Sequence, residues 1–382
     1  ILSQIDINPK IKEGILIDSV LMEINSVNNA KRVVIPNIGF YNENTDDYVS
    51  GVADAGVITN KSIRRVSIDL ENGNKRYFKQ IDYIDGIPKT DSADDKIHGS
   101  TTGLKASAWQ EINQDGSPIK MGDRQQIRLN FIGYSNGKDG HHDKLSRDDF
   151  VDGRLNPQTL EAAEFTSMVI QKLGKDNISN VIYGAHSMGA ANAIVAHIVS
   201  NLKGVPIQST LLLEPVGASS QVKKIKEAMQ NEQSPLFKKL QDIVNSENSV
   251  ETIKNAGKML DADIAQNVVS IRTLDENKAH SRAASIKVGS GVRGVLASAT
   301  RKNAGEPCHA SNETLGTCFL MTIPKQESSS SEKSLKSWIA RRDATHMLSY
   351  IMLGAYDPKT TYHELTDNQI AQIPAVKEMA LR

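Results

Sequence analysis

The segment at residues 180–197 constrains the fold of this 382-residue chain more than any other. It begins with Val-Ile-Tyr at residues 181–183, a β-branched and aromatic run that is typical of a buried strand. It continues into residues 190–199, a small and apolar stretch whose alanines predict a helix. A helix that follows a strand so closely requires a tight turn, and Ser187 lies in that turn.

The turn reads Ala-His-Ser-Met-Gly at residues 185–189, which is the G-x-S-x-G pattern with alanine in the first position. A serine on such a turn has a strained backbone, and only small residues two before and two after it avoid a clash. The turn lifts the Ser187 hydroxyl clear of the sheet. It also places the hydroxyl at a helix N-terminus, whose free amides favour developing negative charge. The pattern therefore predicts a nucleophile elbow.

This segment resembles the α/β-hydrolase superfamily, and its spelling is nearest to lipases and esterases that have Ala-His-Ser-x-Gly elbows. The resemblance is specific around Ser187, weaker over about residues 125–355, and absent from the first hundred residues. It implies an α/β fold with a mostly parallel central sheet and helices on both faces. It also implies a carboxylic ester as the substrate.

The order of predicted elements agrees with that fold. The predicted strands after residue 125 cover residues 127–132, 181–183, 210–213, 268–271 and 318–323. A helix at 157–173, capped by Asn156, separates the first two strands. This alternation of strands and helices is typical of a parallel sheet covered by helices.

A helical block at residues 218–265 follows the strand at 210–213. Its apolar residues form amphipathic stripes, and the superfamily commonly carries a cap over the serine at this point. The alternative is that these are ordinary packing helices. We therefore expect a hydrolase core at 1–217 and 266–382, with an N-terminal β extension, and a helical cap or lid at 218–265.

The first 125 residues are interpreted from local patterns alone. Apolar runs at 14–24 and 33–40 lack helical periodicity, and both predict strands. Alternation at 66–70, an Asn-Gly turn and a return at 76–81 predict a β-hairpin. Residues 84–125 are polar and rich in Gly, Asp and Ser, which predicts a long surface excursion with little regular structure.

A serine nucleophile needs a base that accepts its proton and an acid that holds the base. The superfamily's chain order is serine, acid, histidine, with the histidine on a loop after the last strand. His346, at the head of a predicted final helix, matches that place. His197 lies inside the elbow helix and is directed away from the serine, while His280 precedes the last strand. His186 cannot easily reach the hydroxyl of its neighbour, and we expect it to shape the pocket.

Two carboxylates compete for the role of the acid. Asp275 follows the strand at 268–271 by a short turn, where most α/β-hydrolases place the acid. Glu214, in Leu-Leu-Leu-Glu-Pro, ends the preceding strand and resembles the Leu-Asp-Pro spelling of some lipases. Aspartate is commoner in this role, and the predicted cap lies between the two residues. The resemblance therefore favours Asp275 and leaves Glu214 as the alternative.

The oxyanion hole is expected to use the backbone amide of Met188 and a second amide from a loop after an earlier strand. The Tyr134 amide, after Ile-Gly at the end of a strand, is the first candidate, and residues 37–40 are the alternative. One departure from the superfamily is visible. Only one helix is predicted between residue 134 and the nucleophile strand, where the superfamily has two helices and a strand.

Charge and composition exclude several classes of partner. Lys+Arg and Asp+Glu both number 45, so net charge gives no reason to expect nucleic acid or an anionic membrane. No apolar run reaches the ~18 residues of a membrane span. Residues 139–143, Asp-Gly-His-His-Asp, contain metal-ligand types, but their Gly and Lys neighbours favour a solvated turn. We therefore expect no metal and no cofactor.

Localisation and oligomeric state stay open. Cys308 and Cys318 could close a disulfide loop, which would suggest export, or could be free thiols in a reducing compartment. The chain begins with Ile1, so a removed leader cannot be judged. The Asn/Lys/Ile-rich composition suggests a bacterial protein and leaves a secreted, host-directed lipase open.

The sequence-based hypothesis is a serine hydrolase that cleaves carboxylic esters through Ser187, His346 and Asp275. The amides of Met188 and Tyr134 would hold the oxyanion. An amphipathic cap favours a lipid or other acyl substrate and a transient contact with a membrane surface. The alternatives are an acyltransferase or thioesterase on the same site, and a hydrolase-fold binding protein whose triad has decayed.

Overall fold

The structure is a computed structural model. It describes residues 9–26, 38–42, 45–50, 65–70, 72–87, 89–133, 146, 149, 153–213, 215, 218–275, 315–323 and 361–363. Twelve strands and seven α-helices lie in these ranges.

The described strands form one continuous sheet. They are β1 (Ile38–Asn42), β2 (Asp47–Ser50), β3 (Arg65–Asp69), β4 (Lys75–Asp85), β5 (Lys105–Ile112), β6 (Lys120–Met121), β7 (Arg124–Ile132), β8 (Ile178–His186), β9 (Ile207–Leu213), β10 (Val268–Asp275), β11 (Thr317–Ile323) and β12 (Thr361–His363). Their order across the sheet is β12-β11-β10-β9-β8-β7-β5-β4-β3-β1-β2, and β6 pairs with β7.

The centre of the sheet is parallel, as the sequence predicted. Strands β7 to β11 follow one another in chain order, and each is parallel to the next. The strands on either side are antiparallel, from β5 to β2 and at β12. Because parallel crossovers are right-handed, strands added in one direction carry their crossover helices on one face.

Helices cover both faces of the sheet, which confirms the predicted layers. The described helices are α1 (Pro9–Ser26), α2 (Ala93–His98), α3 (Gln158–Leu173), α4 (Gly189–Leu202), α5 (Ala218–Gln230), α6 (Pro235–Val244) and α7 (Ser249–Asn267). α1 packs on one face in a core that includes Trp109 and Phe78. Residues of α3 to α7 join the larger core on the other face.

The strand predicted at residues 14–24 is wrong, because this stretch lies within α1. Every residue from 14 to 22 is buried, so the helix is surrounded on all sides. A helix with no solvent-facing side has no amphipathic period, and that period is the signal that distinguishes it from a strand. The second apolar run does end in a strand, since β1 begins at Ile38; residues 33–37 lie outside the described ranges.

The predicted hairpin is confirmed as β3 and β4, which pair antiparallel. The surface excursion predicted at 84–125 is wrong, because β5 lies inside it, between β4 and β7. Its small and polar residues caused the error. Ala106, Ser107 and Ala108 are fully buried, and Lys105 is almost so. Such a mixture shows no hydrophobic alternation, although β5 is a central strand.

The helices at 218–265 form the crossover layer between β9 and β10. Their apolar stripes face the main core, with Val222, Ile225, Leu236, Phe237 and Leu240 all buried there. α6 packs against α3, and α5 packs against α4 and α7. These contacts bury the apolar stripes against the core, and the assignment of 218–265 as a cap or lid stays a prediction.

The burial of α1 generates a stability prediction. Leu21 in α1 is 0% exposed and Ile97 in α2 is 65% exposed. Leu21→Ala should lower the free energy of unfolding by about 2–5 kcal/mol, because it removes buried methyl groups and leaves a cavity. Ile97→Ala is the control and should change it by less than about 0.5 kcal/mol. Urea unfolding measures both, and equal effects would contradict the position of α1 in the core.

Candidate active site

Ser187 has a left-handed backbone between β8 and α4, with φ of 56°. The other non-glycine residues with positive φ in the described ranges are Asp46 and Asn245. Asp and Asn tolerate this conformation, whereas serine adopts it rarely and at a cost in free energy. Strained residues of this kind cluster at active sites, where the surrounding structure holds them in place. A strained serine therefore lies at the strand-to-helix turn where the sequence predicted a nucleophile elbow.

Hydrogen bonds fix the turn on both sides of the serine. The Ser187 amide donates to the carbonyl oxygen of Leu213 at 3.0 Å, which ties the turn to the end of β9. The Ala190 amide donates to the Ser187 carbonyl oxygen at 3.3 Å. Met188 has helical dihedrals (φ −62°, ψ −24°), so α4 starts immediately after the serine. The backbone of Ser187 therefore has little freedom to rotate, since its own amide and its own carbonyl are both hydrogen-bonded.

Two glycines allow the close packing of this turn. A Cβ on Gly189 would lie 2.5 Å from the carbonyl oxygen of Phe131 in β7. A Cβ on Gly133 would lie 2.5 Å from the Cβ of Ser187. Both distances are far below van der Waals contact, so β7 can approach the elbow only where these residues lack a side chain. The pattern predicted the small residue at 189, and the resemblance placed the chain after Gly133 beside the serine, but the requirement for glycine at 133 was not predicted.

The end of β7 lies beside the predicted oxyanion hole. A Cβ on Gly133 would be 3.0 Å from the backbone nitrogen of Met188. The chain that leaves β7 therefore starts next to the amide expected to bind the oxyanion, although Tyr134 lies outside the described residues. The alternative segment at 37–40 is remote. Its described residues are in β1, five strands from β8, and five strand spacings are about 24 Å.

The register of the sheet limits where the acid can lie. His186 is level with Leu213, and Leu213 is level with Ile271 in β10. Asp275 is the last residue of β10, four positions beyond Ile271. It is part of the strand, whereas the sequence predicted that it follows the strand by a short turn. Asp275 lies at the carboxyl edge of the sheet, but about 13 Å along the strand from the level of His186.

The remaining triad candidates lie outside the described residues. They are His346 and Glu214. Glu214 is nevertheless joined to Leu213, whose carbonyl oxygen accepts the Ser187 amide hydrogen. The residue before Glu214 is thus hydrogen-bonded to the turn that carries Ser187.

His197 is engaged elsewhere, as its place in the elbow helix suggested. Its Nε2 is 2.7 Å from Asp263 Oδ2, and its Nδ1 is 2.9 Å from Thr210 Oγ1. The side chain is 1% exposed. Burial raises the pKa of Asp263, but the hydrogen bond and charge of His197 and the amides of Asn267 and Asn201 hold this pKa below its usual range. This group ties α4 to α7 and β9.

A chain of amides connects the first turn of α4 to α3. Asn192 Nδ2 donates to Gln158 Oε1 at 3.1 Å, and Gln158 Nε2 donates to the Thr102 carbonyl oxygen at 3.0 Å. Asn156 Oδ1 accepts a hydrogen bond from the backbone amide of Gln158 at 3.0 Å, at the start of α3, although the N-cap position itself is Pro157. Gln158 and Asn192 were not predicted. Their only signal in the sequence is that each is a polar residue on an otherwise apolar helix face.

One groove of the described structure runs along α3. It has a volume of about 1060 Å³, and its lining extends from Glu161 in the first turn of α3 to Gly174, Lys175 and Lys203. Ser187 is not among the residues that line it.

Other predicted sites fall partly or wholly outside the described ranges. These are the His-rich turn at 139–143 and Cys308; only the backbone of Cys318 is described, in β11. Within the described ranges, no group of three or more His, Cys, Asp or Glu residues could hold a metal ion. No helix among those described has the length and apolar character needed to cross a membrane.

Known proteins give only distant similarities. No family model matches the chain, and no curated protein sequence matches it. Among solved structures it is similar to a thermostable esterase from Pseudomonas putida, with 14% identity and a TM-score of 0.22 over 45% of this chain and 60% of that one. It is also similar to a hyperthermophilic esterase from the archaeon Pyrobaculum calidifontis, with 13% identity and a TM-score of 0.20 over 45% of this chain and 61% of that one.

A third similar structure is acetyl xylan esterase 1 from a Thermoanaerobacterium species. It has 14% identity and a TM-score of 0.22, over 75% of this chain and 82% of that one. The chain spans about three fifths of the first two esterases. At 13–14% identity and TM-scores of 0.20–0.22, these similarities do not assign an activity to this chain.

The low pKa of Asp263 generates a pH prediction. A carboxyl whose pKa is below its usual 3.8 stabilises the fold above pH 3.8, and this contribution is lost as the pH falls through the lower folded value. Asp263→Asn should lower the free energy of unfolding at neutral pH by about 1–3 kcal/mol. The difference from wild type should shrink in urea titrations run below pH 3.8.

Asp261→Asn is the matched control for that experiment. Asp261 is on the same helix, and its ion pair with Lys226 leaves its side chain 66% exposed. An exposed pair contributes only about 0–1 kcal/mol, so this variant should have a small effect. A pH profile that is the same for both variants would contradict the assigned role of Asp263.

Proposed function

We propose that this chain is a serine hydrolase of the esterase type and that Ser187 is its nucleophile. The observation that carries the proposal is the left-handed backbone of Ser187 at a strand-to-helix turn. Such a conformation costs roughly 1–3 kcal/mol and persists only where the structure enforces it. Gly133, Gly189 and the Leu213 carbonyl enforce it here. A turn of this kind places the serine hydroxyl at the N-terminus of the following helix.

The proposed reaction has two halves. Ser187 Oγ attacks the ester carbonyl carbon while His346 accepts the hydroxyl proton, and the amides of Met188 and Tyr134 stabilise the oxyanion. When the intermediate collapses, the ester C–O bond breaks and His346 protonates the leaving alcohol. Water then attacks the acyl-enzyme with His346 as base, which releases the acid and restores Ser187. No cofactor is required.

The assignment of the acid draws support from chain order and from register, and these favour different residues. β10 ends at Asp275 and β11 follows it before His346, so Asp275 fits the order serine, acid, histidine. Glu214 follows the residue that bonds to the Ser187 amide. We keep Asp275 as the proposed acid and treat Glu214 as its direct competitor.

The substrate class proposed is a carboxylic ester. A lipid substrate and a membrane contact were expected from an exposed amphipathic cap. The apolar faces of α5 and α6 are instead buried, with Met229, Leu236 and Phe237 all at 0% exposure. These helices therefore give no reason to prefer a lipid over a smaller ester.

A fluorophosphonate probe tests the nucleophile directly. It should label the wild-type chain covalently, because an activated serine attacks the phosphorus and expels fluoride. Ser187→Ala should abolish this labelling and reduce ester hydrolysis on the order of a thousand-fold or more. Ser92→Ala, at an exposed serine in a loop, is the control and should leave both unchanged.

Each outcome has a definite meaning. Labelling that persists in folded Ser187→Ala would locate the reactive residue elsewhere and contradict the proposal. A folded wild type that neither reacts with the probe nor hydrolyses a panel of short- and long-chain esters would also contradict it. It would favour a hydrolase-fold binding protein.

A pair of isosteric variants distinguishes the two acids. Asp275→Asn should reduce kcat on the order of a thousand to ten-thousand-fold, because an amide no longer stabilises the imidazolium. Glu214→Gln should then have little effect on kcat. The measurement is steady-state hydrolysis of a chromogenic ester by both variants, with circular dichroism to show that each is folded. The opposite pattern would transfer the role to Glu214.

A further inference from the structure

A buried carboxylate in the first turn of α3 binds the loop that precedes β5. Glu161 is 9% exposed. Its Oε2 accepts hydrogen bonds from the hydroxyls of Ser100 and Thr102, the latter at 2.6 Å. Its Oε1 accepts from the Thr101 amide at 2.6 Å and from the Thr101 hydroxyl. Four hydrogen bonds from one loop therefore hold this carboxylate, and we call the arrangement the Glu161 clamp.

The clamp requires a charged carboxylate. The Ser100 hydroxyl oxygen already accepts hydrogen bonds from the amides of Thr102 at 3.1 Å and Leu104 at 2.8 Å. Both of its lone pairs are used, so this hydroxyl can only donate to Glu161. Burial raises the pKa of Glu161, but the hydrogen bonds from the loop hold this pKa below its usual range. The side chain is therefore ionised at neutral pH.

Gln158, one turn before Glu161 in α3, joins the clamped loop to the helix that follows the serine. Its Nε2 donates to the Thr102 carbonyl oxygen at 3.0 Å, and its Oε1 accepts from Asn192 Nδ2 at 3.1 Å. Asn192 lies in the first turn of α4, which begins immediately after Met188. Two hydrogen bonds thus connect the clamped loop to the turn beside the amide that is proposed to hold the oxyanion.

The other end of the clamped loop leads to the second side of the proposed oxyanion hole. β5 begins at Lys105, immediately after the loop, and Lys105 is level with Ile132 at the end of β7. Gly133 follows Ile132, and a Cβ on it would lie 2.5 Å from the Cβ of Ser187. The loop is therefore connected to both segments between which an ester carbonyl oxygen would bind.

We propose that Glu161 is a positioning residue, which fixes the end of β7 relative to the first turn of α4 and so aligns the donors to the oxyanion. This inference rests on the proposed function, since it concerns the same site. Glu161 acts on that site through the loop, Gln158 and Asn192. Oxyanion donors are effective only at about 2.7–3.1 Å from the developing charge, and a misplacement of about 1 Å can cost on the order of a hundredfold in rate.

Glu161→Gln tests the clamp with almost no change of shape. Turned either way, the new amide nitrogen would face a group that can only donate, either the Ser100 hydroxyl or the Thr101 amide. The loop should therefore shift, and kcat/KM for an ester should fall about ten- to a hundredfold. Thr102→Val removes one of the four hydrogen bonds and is the milder variant.

Glu164→Gln is the matched control. It is the same substitution three residues later in α3, at a side chain that is 57% exposed in its ion pair with Lys239. An exposed pair contributes little to stability, and Glu164 has no described contact with the clamped loop. This variant should leave kcat/KM unchanged.

Comparison of an ester with its thionoester distinguishes alignment of the donors from a general loss of folded enzyme. Sulfur is larger than oxygen and is a weaker hydrogen-bond acceptor, so donors aligned for oxygen favour the ester. A smaller folded fraction lowers both rates equally and leaves their ratio unchanged. We expect the ratio of kcat/KM, ester over thionoester, to fall about tenfold in Glu161→Gln and by less in Thr102→Val. It should stay at the wild-type value in Glu164→Gln.

The outcomes separate this inference from the proposed function. Circular dichroism shows which variants are folded, and if Glu161→Gln is not, the ratio for Thr102→Val decides. A wild-type ratio in the folded clamp variants, with an active wild type, would overturn the positioning role and leave the esterase proposal standing. A folded wild type that hydrolyses neither substrate would overturn both.

Discussion

The left-handed backbone of Ser187 depends on the close approach of three neighbouring strands. β8 carries the serine, β9 supplies the Leu213 carbonyl that holds its amide, and β7 brings Gly133 against its Cβ. None of these contacts survives if the strand order changes. The parallel order β7-β8-β9 brings these contacts together, so the candidate site depends on the same strand pairing as the core of the sheet.

The two faces of β8 are stabilised by different chemistry. On one face α4 packs through alanine and valine, and the amides of Asn192 and Gln158 connect it to α3. On the other face, Asp18 of α1 forms a buried ion pair with Arg128. Asp18 lies against β8 at Gly184, where a Cβ would be only 2.7 Å from its carboxyl carbon. A buried ion pair contributes little net stability but is strongly destabilising when one partner is lost. The first helix is thus an integral part of the core that carries the serine.

Features that depend on residues close together in the sequence could be predicted, and contacts between distant parts of the chain could not. The strand, elbow and helix around Ser187 were predicted because β-propensity, small residues and helix propensity agree within a few positions. α1 was missed because a fully buried helix has no amphipathic period. β5 was missed because its small and charged residues, such as Lys105 and Ala106, show no hydrophobic alternation. The contact of Gly133 with Ser187 and the bond of Asn192 to Gln158 join distant parts of the chain. Local patterns carry no signal for either.

If Ser187 is the nucleophile, it forms a covalent acyl-enzyme during turnover. The most direct measurement is rapid acid quenching during turnover of an activated ester, followed by mass spectrometry of the intact chain and its peptides. We predict a mass increase equal to the acyl group, located on the peptide that contains Ser187. Hydrolysis that proceeds with no acyl group on this peptide, or with the acyl group on another residue, would contradict the claim.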